Sequence, residues 1–239
     1  MRRRIVMRGG LAALATGLTA QHGIAEAFVD VLLVLAVDVS RSIDEEEARL
    51  QRDGYYQALT DPDVLRAIGS GMVGAIGVIY VEWSGAHWQR VIVPWTRIAT
   101  LGDAEAWVRE LSRFRPRSIN TTSLSGAIAF SHRQLTEAPW PAARRVIDIS
   151  GDGDNNSGPL PAEARDRAVD DGIVINGLAI MNDPHANMEM PLDAYFRQNV
   201  IGGPGSFVIE VKNFHGFAHA VRRKLILEIA SRSPLSHPA

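Results

Sequence analysis

The sequence contains no cysteine among its 239 residues. This absence excludes disulfide bonds, thiolate metal sites, cysteine nucleophiles and a lipid-modified cysteine after an export signal. Lysine is scarce too, because Lys212 and Lys224 are the only two, and both lie late in the chain. The chain must therefore fold through packing, with a bound metal ion as the one further source of stabilisation.

The chain also lacks a strong imbalance of charge. Lys and Arg number 25 against 27 Asp and Glu, which gives a net charge of -2. No basic tract follows the first residues, so nothing indicates a nucleic-acid partner. Repeats and low-complexity linkers are absent as well. With 46% hydrophobic and 22% charged residues, the composition is typical of one globular domain.

The N-terminus has the parts of an export signal. Arg2 to Arg4 supply positive charge, an apolar stretch follows, and Ala25-Glu26-Ala27 fits a cleavage site. The uninterrupted apolar part, Leu11 to Ala20, is well short of the roughly 20 residues that a membrane helix needs. We therefore expect a signal peptide at 1–27 and a periplasmic or secreted product without a transmembrane segment. The general secretory route is favoured over the twin-arginine route.

An unbroken aliphatic run from Val31 to Val37 predicts a central strand, since a strand buried on both faces of a parallel sheet needs no polar face. A link of Ser84-Gly85-Ala86 joins the next two predicted strands, which permits only an antiparallel hairpin. We therefore expect a doubly wound, mostly parallel α/β sheet of about six strands, with one antiparallel edge hairpin and helices on both faces. The domain is predicted over residues 28–231, with a flexible tail at 232–239. The strands are predicted at 31–37, 73–83, 87–94, 144–150, 173–181 and 206–211.

Oxygen-bearing side chains follow three of the predicted elements. Asp38, Ser40 and Ser42 come after the first strand, and Asp152 comes after the fourth. Thr122 lies in a polar loop that enters a helix. Doubly wound sheets bind ligands beyond the carboxyl ends of their strands, where the strand order reverses, so these oxygens should meet in one crevice. Hydroxyl and carboxylate oxygens without nitrogen or sulfur suit Mg²⁺ or a similar cation.

These residues carry a resemblance to a known family. Asp38-Val39-Ser40-Arg41-Ser42 resembles the Asp-x-Ser-x-Ser signature of the von Willebrand factor type A (vWA) domain. The metal-ion-dependent adhesion site (MIDAS) of that domain adds a threonine and an aspartate from two later loops. Thr122, followed by Ser125-Gly126-Ala127-Ile128, is similar to the threonine position, and Asp152 to the aspartate. The match to the vWA domain extends over nearly all of Val29 to Ala230 in element order. The combination, which includes Gly151-Asp152-Gly153-Asp154-Asn155 and an export signal, resembles DUF1194, a bacterial family of exported vWA-like proteins.

The resemblance implies a vWA/Rossmann-like fold and a metal-dependent binding module of the cell envelope rather than an enzyme. It implies that Ser40 and Ser42 bind the cation directly, that Thr122 joins them in one state, and that Asp38 and Asp152 act largely through water. A carboxylate from a protein or peptide partner would fill the remaining coordination position. Mg²⁺ or Mn²⁺ is the implied ion, with Ca²⁺ less favoured.

Two positions depart from the vWA pattern. Thr121 stands where many relatives carry glycine, so Thr121 and Thr122 are both candidates, and the spacing to Ala127-Ile128 favours Thr122. Gly151 replaces the common threonine before the aspartate. This change removes a hydroxyl beside the site and can alter its metal preference.

Other interpretations of the loops are open. Asp152, Asp154, Asn156 and Glu163 fit positions of a calcium loop, although Ser157 replaces its glycine. A metal-dependent phosphatase or hydrolase could use Asp38 as nucleophile, but it also needs a general acid or base and usually a lysine near the phosphate.

Two further interpretations assign these residues structural roles without a metal. The hydroxyls could cap helices in a structural envelope domain without metal, and at least one of Thr121, Thr122 and Ser123 is expected to be a cap. His215 and His219, four residues apart, indicate a helix face rather than a zinc site, because no further ligand lies near them in the sequence.

Overall fold

The computed structural model describes residues 28–40, 45–114, 121–181, 190–212 and 214–230. The predicted signal peptide at 1–27, Ser42 and the predicted tail at 232–239 lie outside these ranges. Strands and helices alternate through the described chain. The strands are β1 (Val29–Asp38), β2 (Ile76–Trp83), β3 (Gln89–Ile98), β4 (Ala142–Gly151), β5 (Ile173–Ile180) and β6 (Val208–Val211).

The helices pack on both faces of the sheet. No helix in the described ranges is both long and apolar enough to cross a bilayer. A short 3-10 helix, Phe214–Gly216, precedes the last helix. The helices are α1 (Glu45–Leu59), α2 (Pro62–Gly69), α3 (Leu101–Leu111), α4 (Leu124–Thr136), α5 (Pro161–Asp170), α6 (Leu192–Asn199) and α7 (Phe217–Ala230).

The described strands form one sheet in the order β3-β2-β1-β4-β5-β6. All neighbouring pairs are parallel except the antiparallel pair β2 and β3. The chain builds outward from β1 to β3 and then crosses to β4 on the other side, so the strand order reverses between β1 and β4. The predicted fold class, a doubly wound and mostly parallel sheet with an edge hairpin, is confirmed.

The hairpin strands differ in extent from the prediction. β2 begins at Ile76 rather than Val73, and β3 continues through Pro94 to Ile98. Proline lacks the N–H group that a central strand must donate, but β3 is an edge strand and can accommodate it. The pairing with β2 also shifts register between Val78 and Val81, close to this proline. The sheet edge therefore tolerates a residue that, in the sequence, marks the end of a strand.

β1 is buried on both faces, as its sequence predicts. The odd-numbered residues from Val31 to Val37 pack toward α1, α2, α3 and α7, and the even-numbered ones from Leu32 to Ala36 pack toward α4, α5 and α6. None of these seven side chains is more than 2% exposed. Full burial of one such side chain contributes roughly 1.5–3 kcal/mol. The strand that ends in Asp38 is thus fixed at the centre of the molecule.

Candidate metal centre

Asp38 ends β1 at the point where the strand order reverses. Its position pairs with Trp83 at the end of β2, and its side chain is fully buried. Asp38 Oδ1 accepts a hydrogen bond from the Ser40 N–H at 2.8 Å. None of the described residues donates a hydrogen bond to Asp38 Oδ2. A buried carboxylate oxygen without a donor is costly unless a cation or a proton compensates it.

The electrostatics of the centre follow from this burial. Loss of hydration raises the pKa of Asp38 well above its usual value, and the nearby Asp152 carboxylate raises it further. Contacts from Ser40 and from the main chain of Asp152 lower the pKa of Asp38 in part. Two carboxylates thus lie near enough to interact at the end of the sheet, and a divalent cation stabilises such a pair.

Gly151 leaves room beside Asp38. A Cβ placed on Gly151 would lie 3.2 Å from Asp38 Oδ2 and 3.4 Å from the Trp83 ring atom Cζ2. The glycine therefore allows the indole of Trp83 and the free oxygen of Asp38 to share this space. This close approach gives a physical reason for the departure from the threonine of the vWA pattern.

The structure separates the two threonine candidates. Thr122 is 7% exposed, and a Cβ on Gly153 would lie 3.9 Å from Thr122 Oγ1. Thr121 is exposed instead, and its hydroxyl lies against Gly85 in the hairpin turn. Asp38 thus lies beside Gly151 and Thr122 beside Gly153, which are the two neighbours of Asp152 in the chain.

Ser123 is the helix cap among the three hydroxyls. Ser123 Oγ accepts a hydrogen bond from the Gly126 N–H at 3.2 Å and so caps α4. The prediction that at least one of these residues is a cap is confirmed. Since Ser123 fills this role, the hydroxyl of Thr122 is not needed for it.

Two residues, Ser84 and Asn156, hold the Thr122 loop in roles that the sequence does not indicate, and a third, Asn155, bonds to the helix that follows it. Buried Ser84 donates from Oγ to the carbonyl of Thr121 at 2.8 Å, and its own carbonyl accepts the Ser123 N–H at 2.7 Å. Asn156 Oδ1 accepts the Thr122 N–H at 2.8 Å, and Asn155 Oδ1 accepts the Ser125 N–H at 3.2 Å. Asn and Ser in loops readily bond to main-chain groups, but the sequence does not tell which distant segment they reach.

The described part of the site fits a divalent cation. Asp38, Ser40, Thr122 and Asp152 come together at one end of the sheet, whereas Ser42 lies outside the described residues. The donor set consists of hydroxyl and carboxylate oxygens, and one carboxylate oxygen is buried without a hydrogen bond. Hard oxygen donors are those that Mg²⁺ and Mn²⁺ prefer.

The other metal patterns find less support in the described residues. Asn156 Oδ1 bonds to Thr122, so this oxygen of the calcium-loop pattern is engaged elsewhere. The described ranges contain no group of three or more His, Asp or Glu side chains placed to hold a metal ion. A site rich in imidazole or carboxylate ligands is therefore not seen in these ranges, and His215 and His219 do not form one.

Lys224 belongs to a buried ionic cluster on the opposite face of the sheet from α4. Its Nζ lies 2.6 Å from Asp148 Oδ1 and 2.7 Å from Glu228 Oε1, and all three side chains are at most 1% exposed. Asn176 Nδ2 donates to Glu228 Oε1 at 2.9 Å. This cluster joins α7 to β4 and β5.

The sequence profile of the family described as Protein of unknown function (DUF1194) matches residues 28–233. Comparison with curated proteins gives no match. Among solved structures, proximal thread matrix protein 1 from the mussel byssus, with a zinc occupied MIDAS motif, has a TM-score of 0.60 at 14% identity. The similarity covers 85% of this chain and 49% of that chain.

Two bacterial structures show the same likeness. A von Willebrand factor type A protein from Catenulispora acidiphila has a TM-score of 0.54 at 15% identity, over 84% of this chain and 43% of that chain. The pilus adhesin SpaC from Lactobacillus rhamnosus GG has a TM-score of 0.60 at 16% identity, over 84% and 31%. The chain spans half or less of each of these proteins, so the likeness concerns the fold. The profile match and the strand order together show that the chain belongs to the DUF1194 family and has the fold of a vWA domain.

Proposed function

We propose that the protein is a divalent-metal-dependent binding module. Asp38, Ser40, Ser42, Thr122 and Asp152 would hold Mg²⁺ or Mn²⁺, and the cation would accept a carboxylate oxygen from a protein or peptide partner. The observation that carries the proposal is Asp38 Oδ2, which is buried without a hydrogen bond beside the charge of Asp152. A cation bound between these groups would compensate both the buried oxygen without a hydrogen bond and the repulsion between the two carboxylates.

Charge balance explains why a partner would complete the site. Two carboxylates and three neutral hydroxyls leave coordination positions that water fills in the free protein. A carboxylate supplied by a partner adds negative charge to the cation, so metal and partner should bind cooperatively. The zinc occupied MIDAS of the mussel protein and the pilus adhesin among the solved structures support an adhesion-type role through likeness of fold.

We further propose that this module acts in the cell envelope, as a periplasmic or secreted domain over residues 28–231. The support is the arginine-rich start and the Ala25-Glu26-Ala27 cleavage pattern. The expected mature protein begins at Phe28. A metal-dependent hydrolase is the alternative, and loss of phosphate-ester hydrolysis in Asp38→Asn would favour it.

Paired threonine variants test the metal site. Thr122→Val should weaken Mn²⁺ binding about 10-fold, because it removes one oxygen ligand while keeping the shape of the side chain. Thr121→Val should bind Mn²⁺ as the wild type does, since that hydroxyl faces Gly85. Isothermal titration of Mn²⁺ and Mg²⁺ into the purified proteins measures both affinities. Equal affinities in wild type, Thr122→Val and Asp152→Ala would contradict the proposed site.

Retention of a partner tests the binding role. Immobilised protein is incubated with an envelope extract in Mg²⁺ or in chelator, and the retained proteins are compared. We expect a partner that is retained in Mg²⁺, released by chelator and lost with Thr122→Val. A partner that stays bound in chelator would contradict the metal-dependent mode.

A further inference from the structure

Asn156 contacts Thr122 through two hydrogen bonds, although the two residues are far apart in the sequence. Asn156 Oδ1 accepts the Thr122 N–H at 2.8 Å. In return, the Thr122 carbonyl accepts the Asn156 N–H at 3.0 Å and the Ser157 N–H at 3.1 Å. Both main-chain polar groups of Thr122 are therefore satisfied by two consecutive residues of the loop that follows β4. None of these bonds uses the Thr122 hydroxyl.

The geometry assigns Asn156 the role of a positioning residue for the proposed metal centre. Thr122 and Asp152 come from different loops, but the proposed site needs both side chains around one cation, Thr122 as a ligand at a bond length near 2 Å and Asp152 directly or through water. Supporting groups must hold such ligands to within about 0.5 Å of the productive geometry. Asn156 lies four residues after Asp152 in the same loop, so its bonds to Thr122 fix one loop against the other. This inference rests on the proposed function, since it concerns the same site.

The hydrogen bonds of Ser84 and Asn155 do not hold Thr122 itself. Ser84 holds Thr121 and Ser123 through its hydroxyl and its carbonyl, but neither bond reaches Thr122. Asn155 Oδ1 accepts the Ser125 N–H at 3.2 Å, and the Asn155 N–H donates to Tyr195 Oη at 3.3 Å. Asn155 thus connects the same loop to α4 and α6, whereas Asn156 bonds to Thr122. Substitution of Asn155 therefore serves as a matched control for substitution of Asn156.

Titration of Mn²⁺ into the purified protein, by calorimetry, tests the assignment. Asn156→Ala should weaken Mn²⁺ binding about 10-fold, which is the usual cost of losing a group that orients a metal ligand. Asn155→Ala should lower the thermal unfolding midpoint but leave the Mn²⁺ affinity within about 2-fold, because its bonds bypass Thr122. Asn156→Asp keeps an oxygen acceptor for the Thr122 N–H and should bind Mn²⁺ at least as tightly as the wild type.

A double variant separates positioning from a general structural role. If Asn156 acts through Thr122, then Asn156→Ala should cause no further loss of Mn²⁺ affinity in the Thr122→Val background. Additive losses would overturn the assignment, as would wild-type affinity in Asn156→Ala. Should the alanine variant denature, Asn156→Ser gives the same comparison. If Thr122→Val and Asp152→Ala also bind Mn²⁺ as the wild type does, the proposed function fails as well, whereas failure of the Asn156 variants alone leaves it intact.

Discussion

Gly151 shows how one residue shapes the candidate site. A Cβ at this position would lie 3.2 Å from Asp38 Oδ2, which is closer than side chains usually pack, and 3.4 Å from the Trp83 ring, which is an ordinary contact. We expect Gly151→Ala to lower the free energy of unfolding by about 1 kcal/mol, because the carboxylate of Asp38 must move. Urea denaturation, followed by circular dichroism, measures the change.

Gly153→Ala is the matched control for this prediction. A Cβ on Gly153 would meet Thr122 Oγ1 at 3.9 Å, which is an ordinary contact distance. Its free energy of unfolding should therefore stay within about 0.5 kcal/mol of the wild type. If the two alanine variants are equally stable, the space beside Asp38 is not limited in the way that the structure indicates.

The sequence suggests the proposed ligands of the candidate site, but it does not show the residues that support them. Asp38 and Ser40 follow a buried strand, and that position alone predicts a site at the sheet end. Sequence spacing favours Thr122 over Thr121, but the fold shows the contacts of the two hydroxyls, with Thr122 near Gly153 and Thr121 against Gly85. Asn156 resembles a loop or calcium-binding residue in the sequence, because its bond to Thr122 joins segments 34 residues apart.

At the scale of the elements, α1 and α7 pack closely because of a glycine. A Cβ on Gly54 in α1 would lie 2.6 Å from Phe217 Cδ1 in α7. Alanine favours a helix over glycine by up to about 1 kcal/mol, but the clash should outweigh this gain. We expect Gly54→Ala to lower the free energy of unfolding by about 1 kcal/mol, measured by urea denaturation.

Gly69→Ala offers the comparison for the helix contact. Gly69 ends α2, and a Cβ there would have nothing within 4 Å. Its substitution should be neutral or stabilise the protein by up to about 1 kcal/mol. If Gly54→Ala raises the free energy of unfolding instead, α7 can shift away from α1 without a loss of stability, and the prediction is wrong.

The elements themselves were predictable where the pattern was strong. Apolar runs located the six described strands, and the short link after β2, predicted as three residues and found at 84–88, gave the hairpin. The ends were less certain, because β3 passes Pro94 at a sheet edge, where a missing N–H costs little. The sequence also hides the close contact at Gly54, since a glycine inside a helical pattern has no visible partner.

At the scale of the molecule, the buried cluster under α7 should make stability depend on pH. The ammonium of Lys224 faces the carboxylates of Asp148 and Glu228, with Asn176 and Tyr55 also nearby. Burial, and then the charge of Asp148, raise the pKa of Glu228 from 4.5 to about 7. Between these values the native state binds more protons than the unfolded chain, so the free energy of unfolding should fall as the pH rises through this window.

Glu228→Gln should remove this dependence. The amide keeps an oxygen for Asn176 and carries no charge, so at pH 8 the variant should be more stable than the wild type by on the order of 2 kcal/mol. Urea denaturation at pH 5 and at pH 8 measures the difference. Glu210→Gln, at a more exposed glutamate in β6, should leave the pH dependence unchanged. If the free energy of unfolding changes equally between pH 5 and pH 8 in wild type and Glu228→Gln, Glu228 is not the group that binds the extra proton in the native state.

Trp83 gives the candidate centre an optical signal. The indole ring of Trp83 and the carboxylate of Asp38 lie next to the same position, Gly151. A cation bound at Asp38 would therefore change the electric field across the indole. Trp107, buried on the other face of the sheet with α3, should be insensitive to the same event. Intrinsic fluorescence should therefore report the arrival of Mn²⁺ or Mg²⁺ without any label, and Trp83→Phe should silence that response while the emission of the remaining tryptophans persists.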